Sequence, residues 1–589
     1  MLHNRYIHKS FIKTTIGAVF LLGLIHNSIA QAPHTKTDMF LEQAILRSDK
    51  RGWTGVIARI NGELTAYNKK KLIALHAEIV RKLPIISSVT IRVPTKNLKA
   101  LSNLSFIKHL SADLEVKKND DVSVERSGAA MAWNRPYSVT GKGVGIAVID
   151  SGIRYNPDLS GNCVNPSRLL YSQSFVSGDI NTDDTCGHGT HVAGIIGGNG
   201  KMSSSPDCFR TFYGVAPNSN LINLRALNSL GLGSVSDVIA AIQWTVTNKN
   251  AQYNGKSLNI RVINLSLGHP VSESYLSDPL CMAVEKAWKS GIVVVCAAGN
   301  MGRASLKQNS SSDNEGWGAN YGTIASPAND PHVITVGAMK RDLNDSDNRN
   351  SDKIATYSSR GPSRLDYVLK PDILAPGNQI ISNYSFNSML YLWGSVSQTG
   401  LALNSYKALS LPGEFSTDYI TLSGTSMATP VVAGAAALLL EKHPSLSPDS
   451  IKARLMVSAD KWKDRTGAFD PCTYGAGYLN ITAALNNRTI ASSSAISPTL
   501  HKNALGYFYI DCTKGLWGAF GSSNAFKNIW GSNDVYGTKG IWGSNVVDVD
   551  KGIWGSKGIW GSNVWNDKAI WGSSSSFVDL SSVVLFGEN

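Results

Sequence analysis

Leu422-Ser423-Gly424-Thr425-Ser426-Met427-Ala428-Thr429-Pro430, followed by Val431-Val432-Ala433-Gly434-Ala435-Ala436-Ala437-Leu438-Leu439-Leu440, is a small-residue turn running into a segment that is apolar on every face. Such a segment reads as a buried helix. Ser426 stands at its start, where unpaired backbone N–H groups and the positive end of the helix dipole favour negative charge on a neighbouring oxygen. That placement suits a nucleophile for acyl transfer. Ser and Thr are also ordinary helix caps, so the turn acquires a chemical meaning only with partners.

A serine nucleophile needs a base to take its proton and a third group to orient the base. Gly143-Val144-Gly145-Ile146-Ala147-Val148-Ile149-Asp150-Ser151-Gly152 is an apolar run too short for a helix, the pattern of a parallel strand buried on both faces, and it ends at Asp150. Cys186-Gly187-His188-Gly189-Thr190-His191-Val192-Ala193-Gly194 places His188 between two glycines beside a helix start. A cap of the next turn would account for Asp150 alone, and core packing for His188 alone.

Together, Asp150-Ser-Gly, His188-Gly-Thr-His-Val-Ala-Gly and Gly424-Thr-Ser426-Met-Ala-Thr-Pro resemble the three signature blocks of the subtilisin-like serine proteases (subtilases, peptidase family S8), in that superfamily's chain order Asp, His, Ser. Ile263-Asn-Leu-Ser-Leu-Gly268, Ala297-Ala-Gly-Asn300, Ser358-Ser-Arg-Gly-Pro362 and Lys370-Pro-Asp-Ile-Leu-Ala-Pro-Gly377 match as well. The resemblance covers residues 122–492, and its last blocks look most like the bacterial AprX-type branch. It implies a serine endopeptidase of the EC 3.4.21 type, with Ser426 as nucleophile, His188 as general base, Asp150 orienting His188 and Asn300 supplying a carboxamide to the oxyanion hole. Ser266, Leu267 and Gly268 match the segment that pairs with extended substrate, and Ala325 the floor of the first specificity pocket. Tyr321 and the long insert at residues 378–417 are expected to narrow one wall.

The 589 residues exceed what one core usually holds. Residues 1–30 carry Arg5, Lys9 and Lys13, then an apolar stretch at 16–25 and Ser28-Ile29-Ala30, which together read as a secretory signal peptide. Residues 31–120 mix helix-like (69–83) and strand-like (86–93) patterns and resemble an inhibitory, chaperoning α+β pro-domain; an independent N-terminal binding module is the alternative. The formal charge is +13, but residues 1–118 hold 19 Lys or Arg against 7 Asp or Glu, a balance of +12. The excess therefore sits in what maturation would remove, which argues against nucleic acid as a partner. No stretch reaches membrane-spanning length without interruption.

In residues 121–492, apolar runs at 146–149, 221–224, 262–265, 292–297 and 334–336 alternate with helix-like segments at 238–246, 280–289 and 447–458. Alternation of this kind gives an α/β domain, a parallel sheet with helices on both faces. Ligand groups in open sheets gather beyond the carboxyl ends of strands, where Asp150, Ser266 and Asn300 fall.

No cofactor is required for the chemistry. Structural calcium is a possibility through Asp158, which matches a family position that often helps bind it, although the loop at 198–208 carries no recognisable partner ligands. His188 and His191 have no third zinc ligand in pattern. Seven Cys in a secreted chain predict disulfides with one thiol left over, Cys296 being the candidate for it. Cys163, Cys186 and Cys208 cluster near His188, and Cys472 with Cys512 would tie the end of the catalytic domain to the C-terminal region.

From residue 493 to 589 the composition turns to Ser, Gly, Asn and Trp, with Ile-Trp-Gly-Ser at 529–532, 541–544, 553–556, 559–562 and 570–573. Trp530, Tyr536, Trp542, Trp554 and Trp560 are separated by multiples of six, so the unit is a hexapeptide with some units degraded; its even period suits strands, and the tail is expected to have β character. Two function classes emerge: a secreted endopeptidase acting on proteins or peptides and held by its own pro-domain, or an adhesive protein whose Trp-rich tail binds cell-wall or other surface material.

Overall fold

The computed structural model describes residues 36–37, 39–46, 52–83, 87–112, 122–159, 168–303, 305–306, 316–345, 348–392, 400–408, 410, 414–463, 470–502, 508–511, 515–516, 529 and 588. The expected signal peptide, Cys163, Cys512 and nearly all of the Trp repeats lie outside the described residues. The chain divides into two compact units, Met1–Lys118 and Asn119–Asn589.

In the first unit, α1 (Met39–Leu46) and α2 (Ala66–Ala74) accompany an antiparallel sheet of β1 (Trp53–Ile60), β2 (Glu78–Leu83), β3 (Ser88–Pro94) and β4 (Ile107–Ala112), in the order β2-β3-β1-β4. Its core holds Val56, Ala58, Leu72, Ile91, Val93 and Leu110. The helix expected over 69–83 stops at Ala74: His76 takes a positive φ of 51°, and Glu78–Leu83 continues as a mostly exposed edge strand paired with β3. Pairing along a whole sheet edge overrides the weak helical periodicity of a Lys-rich run.

The second unit is built on an eight-stranded sheet. β5 (Gly145–Asp150), β6 (Leu169–Ser174), β7 (Asn220–Arg225), β8 (Ile260–Leu265), β9 (Val293–Ala297), β10 (Ile334–Lys340), β11 (Lys353–Ile354) and β12 (Ile373–Pro376) run in the order β11-β10-β9-β8-β5-β7-β6, with β12 also beside β10. Only β11 is antiparallel to its neighbour. Every residue of β5, β9 and β10 is buried, which is why their sequences are mostly apolar rather than alternating, with Asp150 and Lys340 at the strand ends. The sheet, α3 (His188–Gly197), α4 (Val235–Asn248), α5 (Pro279–Lys289) and α6 (Thr425–Lys442) share one core. Helix α7 (Pro448–Ser458) starts on the expected Ser447, whose side chain accepts from the Ser450 N–H.

The insert at 378–417 contributes β13 (Ile380–Asn383) and β14 (Gly400–Ala402), which flank β15 (Phe415–Leu422) in an antiparallel sheet. Its Tyr406 packs with Tyr419 against Phe212. The segment also reaches the loop of His188, where Met389 and Leu390 donate backbone hydrogen bonds to Thr185 and Cys186. Residues 494–500 are woven into the second unit: Ala495 N–H donates to Asp449, Ser497 Oγ to Asp372, and Leu500 N–H to Tyr367.

Candidate active site

Helix α6 leaves β15 through Gly424, whose φ of 149° is open to glycine; a Cβ there would stand 3.3 Å from Asn300 Nδ2. All residues from Thr425 to Leu440 are buried, as the uninterrupted apolar run from Pro430 onward requires. Ser426 Oγ donates to the Ser266 carbonyl at 3.1 Å. The Ser426 carbonyl would ordinarily accept from the N–H four residues on, but that residue is Pro430, which has none. The freed carbonyl accepts instead from Ser266 Oγ at 2.8 Å, and Asn264 Nδ2 donates to that same hydroxyl. The start of α6 is thereby fixed to the end of β8.

One strand over, β5 ends at Asp150. His188 Nδ1 lies 2.7 Å from Asp150 Oδ1, both side chains almost wholly buried. Two glycines allow this approach. Gly187 takes a φ of 102°, and a Cβ on Gly189 would lie 2.1 Å from the Gly152 carbonyl. On the other side, Asn300 follows β9, and its Oδ1 accepts from both Thr425 N–H and Thr425 Oγ1 at 2.9 and 3.0 Å. Anchoring the oxygen assigns Nδ2 to the side of Gly424. Gly268 and Ala325 are close neighbours: a Cβ on Gly268 would be 3.0 Å from that of Ala325 and 2.8 Å from the Ser326 carbonyl, and His269 and Ser326 exchange backbone hydrogen bonds. Leu267 is buried in the core, and the Ser266 side chain faces Ser426 rather than solvent.

The subtilase family model matches residues 141–500, which contain this whole arrangement. The chain belongs to the subtilase family. The serine protease AprX of Bacillus subtilis (strain 168) is 38% identical over 384 residues, covering 64% of this chain and 74% of that protein. Subtilisin DY of Bacillus licheniformis is 34% identical over 345 residues (58% and 91%), and subtilisin E of Bacillus subtilis (strain 168) is 34% identical over 391 residues (66% and 77%). This subtilase is accordingly a serine endopeptidase, a hydrolase acting on protein substrates.

A residue that sequence reasoning missed organises the His188 loop. Asp184 is fully buried and accepts from Ser151 Oγ (2.8 Å), Gly187 N–H (2.7 Å) and Thr190 N–H (2.8 Å), while Ser151 Oγ in turn accepts from Gly189 N–H. Burial raises its pKa against the lowering effect of these bonds. The signal available was two adjacent acids four residues before His188. His191, three residues into α3, is pushed down to about 3 by burial and by the neighbouring His188; its Nε2 faces the Ile380 and Ile420 carbonyls. It is a neutral core donor.

Asp158 does not fit calcium. Its carboxylate accepts from Met202 N–H, Asn383 Nδ2 and Tyr419 OH at 2.5–2.8 Å, so hydrogen-bond donors face it where a cation needs further oxygens. Glu285, Asp330 and His332 do bring ligand atoms within 4.8 Å of one another, on α5 and the approach to β10. The disulfide expectation needs correcting among the described residues: Cys186, Cys208, Cys281, Cys296 and Cys472 are free thiols. Cys186 sits in the His188 loop and Cys296 inside β9, each in its own packing environment, and burial pushes both thiols up. Tyr321 is half-buried and donates to Asp470 at 2.7 Å.

Proposed function

We propose that this subtilase cleaves peptide bonds through an acyl-enzyme on Ser426, with His188 as general base and then acid, Asp150 holding the His188 tautomer, and Asn300 Nδ2 with the Ser426 N–H receiving the oxyanion. The observation that carries this reading is the buried 2.7 Å Asp150–His188 contact beyond β5, beside the β8 end on which Ser426 rests. A base needs its orienting carboxylate at hydrogen-bond distance, and the donor's amide needs its oxygen tied elsewhere; Thr425 does the latter. Substrate is an extended peptide that adds as a strand along Ser266-Leu267-Gly268, with a side chain entering an apolar cleft over Ala325. The basic leader and N-terminal α+β unit support secretion as a zymogen, the first unit acting as inhibitor. Among the described residues, no helix is long and apolar enough to cross a membrane.

Ser426→Ala is the test. The secreted variant should retain its N-terminal segment, lose labelling by a serine-directed covalent inhibitor, and keep only the residual rate that binding and the oxyanion hole allow, about 10³–10⁴ over water. Parent-level hydrolysis by the intact variant would end the assignment.

A further inference from the structure

Beyond the repeats, Glu588 is a buried carboxylate, 1% exposed, held by residues 209 to 285 positions away in sequence. Arg303 Nη1 reaches Oε1 at 3.2 Å and Lys340 Nζ reaches Oε2 at 3.4 Å, all three side chains buried. Thr356 donates its N–H to Oε2 at 2.9 Å and its hydroxyl to Oε1. The backbone is gripped too: the Glu588 N–H donates to Asn378 Oδ1 at 2.8 Å, and its carbonyl accepts from Asn378 Nδ2 at 2.6 Å and Gln379 Nε2 at 3.0 Å. Two cations and a threonine read the carboxylate, while a two-way amide reads the backbone. Every polar group of this residue is matched, which is the complementarity of a binding site.

The same loops brace the groups assigned above to catalysis. Arg303 lies three residues after Asn300, and Met301 N–H donates to Ser359 Oγ while Ser359 N–H donates to the Gly299 carbonyl. Gly377, next to Asn378, accepts from the Gly424 N–H at 2.8 Å, and the Gln379 N–H donates to Ser423 Oγ at 2.8 Å. Contacts made by Glu588 thus bear on both loops that converge at Asn300 and Ser426. We propose that Arg303, Lys340, Thr356, Asn378 and Gln379 form a glutamate-recognition pocket whose occupant is Glu588 of the same chain, and that seating it locks the loops carrying Asn300 and Gly424. The far end of the repeat region thereby becomes a positioning element for the catalytic unit. The coupling to activity rests on the proposed roles of Ser426 and Asn300; the docking itself does not.

Hydrogen exchange on the full-length enzyme, blocked with a serine-directed inhibitor, tests docking alone. The amides of Glu588 and Thr356 should exchange at least 100-fold slower than free peptide, and exchange of the Glu588 amide at the free rate overturns the pocket. Coupling is read from Glu588→Gln and from the milder Asn378→Ala in the full chain. Both should lower kcat on a small peptide, Glu588→Gln by at least fivefold, with KM within twofold and full inhibitor labelling at saturation. A kcat within twofold of the parent in both variants overturns the coupling. Parent-level exchange protection combined with an active Ser426→Ala protein would instead fault the catalytic assignment and leave the pocket standing.

Discussion

His191 offers a stability prediction whose size follows from its surroundings. The side chain is fully enclosed, and burial together with the nearby His188 holds its pKa down to about 3, against an ordinary value of 6.5. Above pH 6.5 the group is neutral in both folded and unfolded chains and contributes no pH dependence. As pH falls below 6.5, the unfolded chain takes up a proton that the folded chain refuses until about pH 3, so stability drains away by roughly 1.4 kcal/mol per pH unit across that window. At pH 5 the loss from this one residue is about 2 kcal/mol. His191→Gln keeps an amide able to donate to the Ile380 and Ile420 carbonyls and removes the titration. The assay is urea unfolding of inhibitor-blocked enzyme at pH 8 and pH 5, followed by tryptophan fluorescence. Whatever the variant loses by imperfect packing enters at both pH values, so the quantity to read is the change in the parent-to-variant gap. That gap should narrow by about 2 kcal/mol on going to pH 5. A gap that stays constant within error would show that His191 titrates alike in both states, and the reasoning from burial would fail.

Two predictions concern the site itself. Asn300→Ala should lower kcat with little change in KM; the reference cost for such a donor, measured on a subtilisin rather than worked from this geometry, is about 10²–10³ in kcat. A purely ground-state effect, with KM raised and kcat intact, would contradict the oxyanion role. Asp184→Asn places a donor among the Ser151, Gly187 and Thr190 donors that the carboxylate now accepts, so it should destabilise the protein by about 1–3 kcal/mol and lower kcat through the loosened His188 loop. Thermal unfolding and kcat unchanged from the parent would show the loop to be held by other means.

The chemistry was legible in the sequence because it constrains residue type at fixed spacing. Gly187, Gly189 and Gly424 are required by backbone conformation or by close approach; the first two flank His188 and the third stands two residues before Ser426, so motif and geometry carry the same information about the candidate site. The strands were legible for a similar reason: burial on both faces demands nearly continuous apolar runs, as in β9 and in β5 up to Asp150, while β8 keeps Val262, Ile263 and Leu265 apolar around Asn264. What stayed hidden are polar groups whose partners come from far along the chain. Lys452 looks like an ordinary helix lysine, yet it is fully buried in α7 with its ammonium on the Pro331 and Val333 carbonyls, Ser497 and Asp372. Asp158 matched a ligand position, but which atoms surround it depends on Tyr419, 261 residues away. Glu588 gives no local signal at all. Cysteine count likewise gave no sign that Cys186, Cys208, Cys281, Cys296 and Cys472 are free thiols.

Pro430 shows how closely the site's chemistry and its packing are joined. From Pro430 to Leu440 the helix is apolar on every face and offers no polar side chain to register it against the sheet, so registration falls to its first turn; dispersion alone would let it settle wherever volumes match. The proline removes one backbone donor and thereby leaves the Ser426 carbonyl as a buried acceptor that must find a partner elsewhere. Ser266 supplies its hydroxyl to that carbonyl and receives the Ser426 hydroxyl on its own carbonyl, a reciprocal pair joining α6 to the end of β8. Thr425 makes the corresponding link to the next strand over, donating to Asn300 and accepting from the Gly299 N–H. The two ends of that chain of bonds are the group assigned as nucleophile and the group assigned as oxyanion donor. Their separation is therefore set by the spacing of β8 and β9, paired in parallel at the buried centre of the sheet, rather than by the loops on which each residue sits.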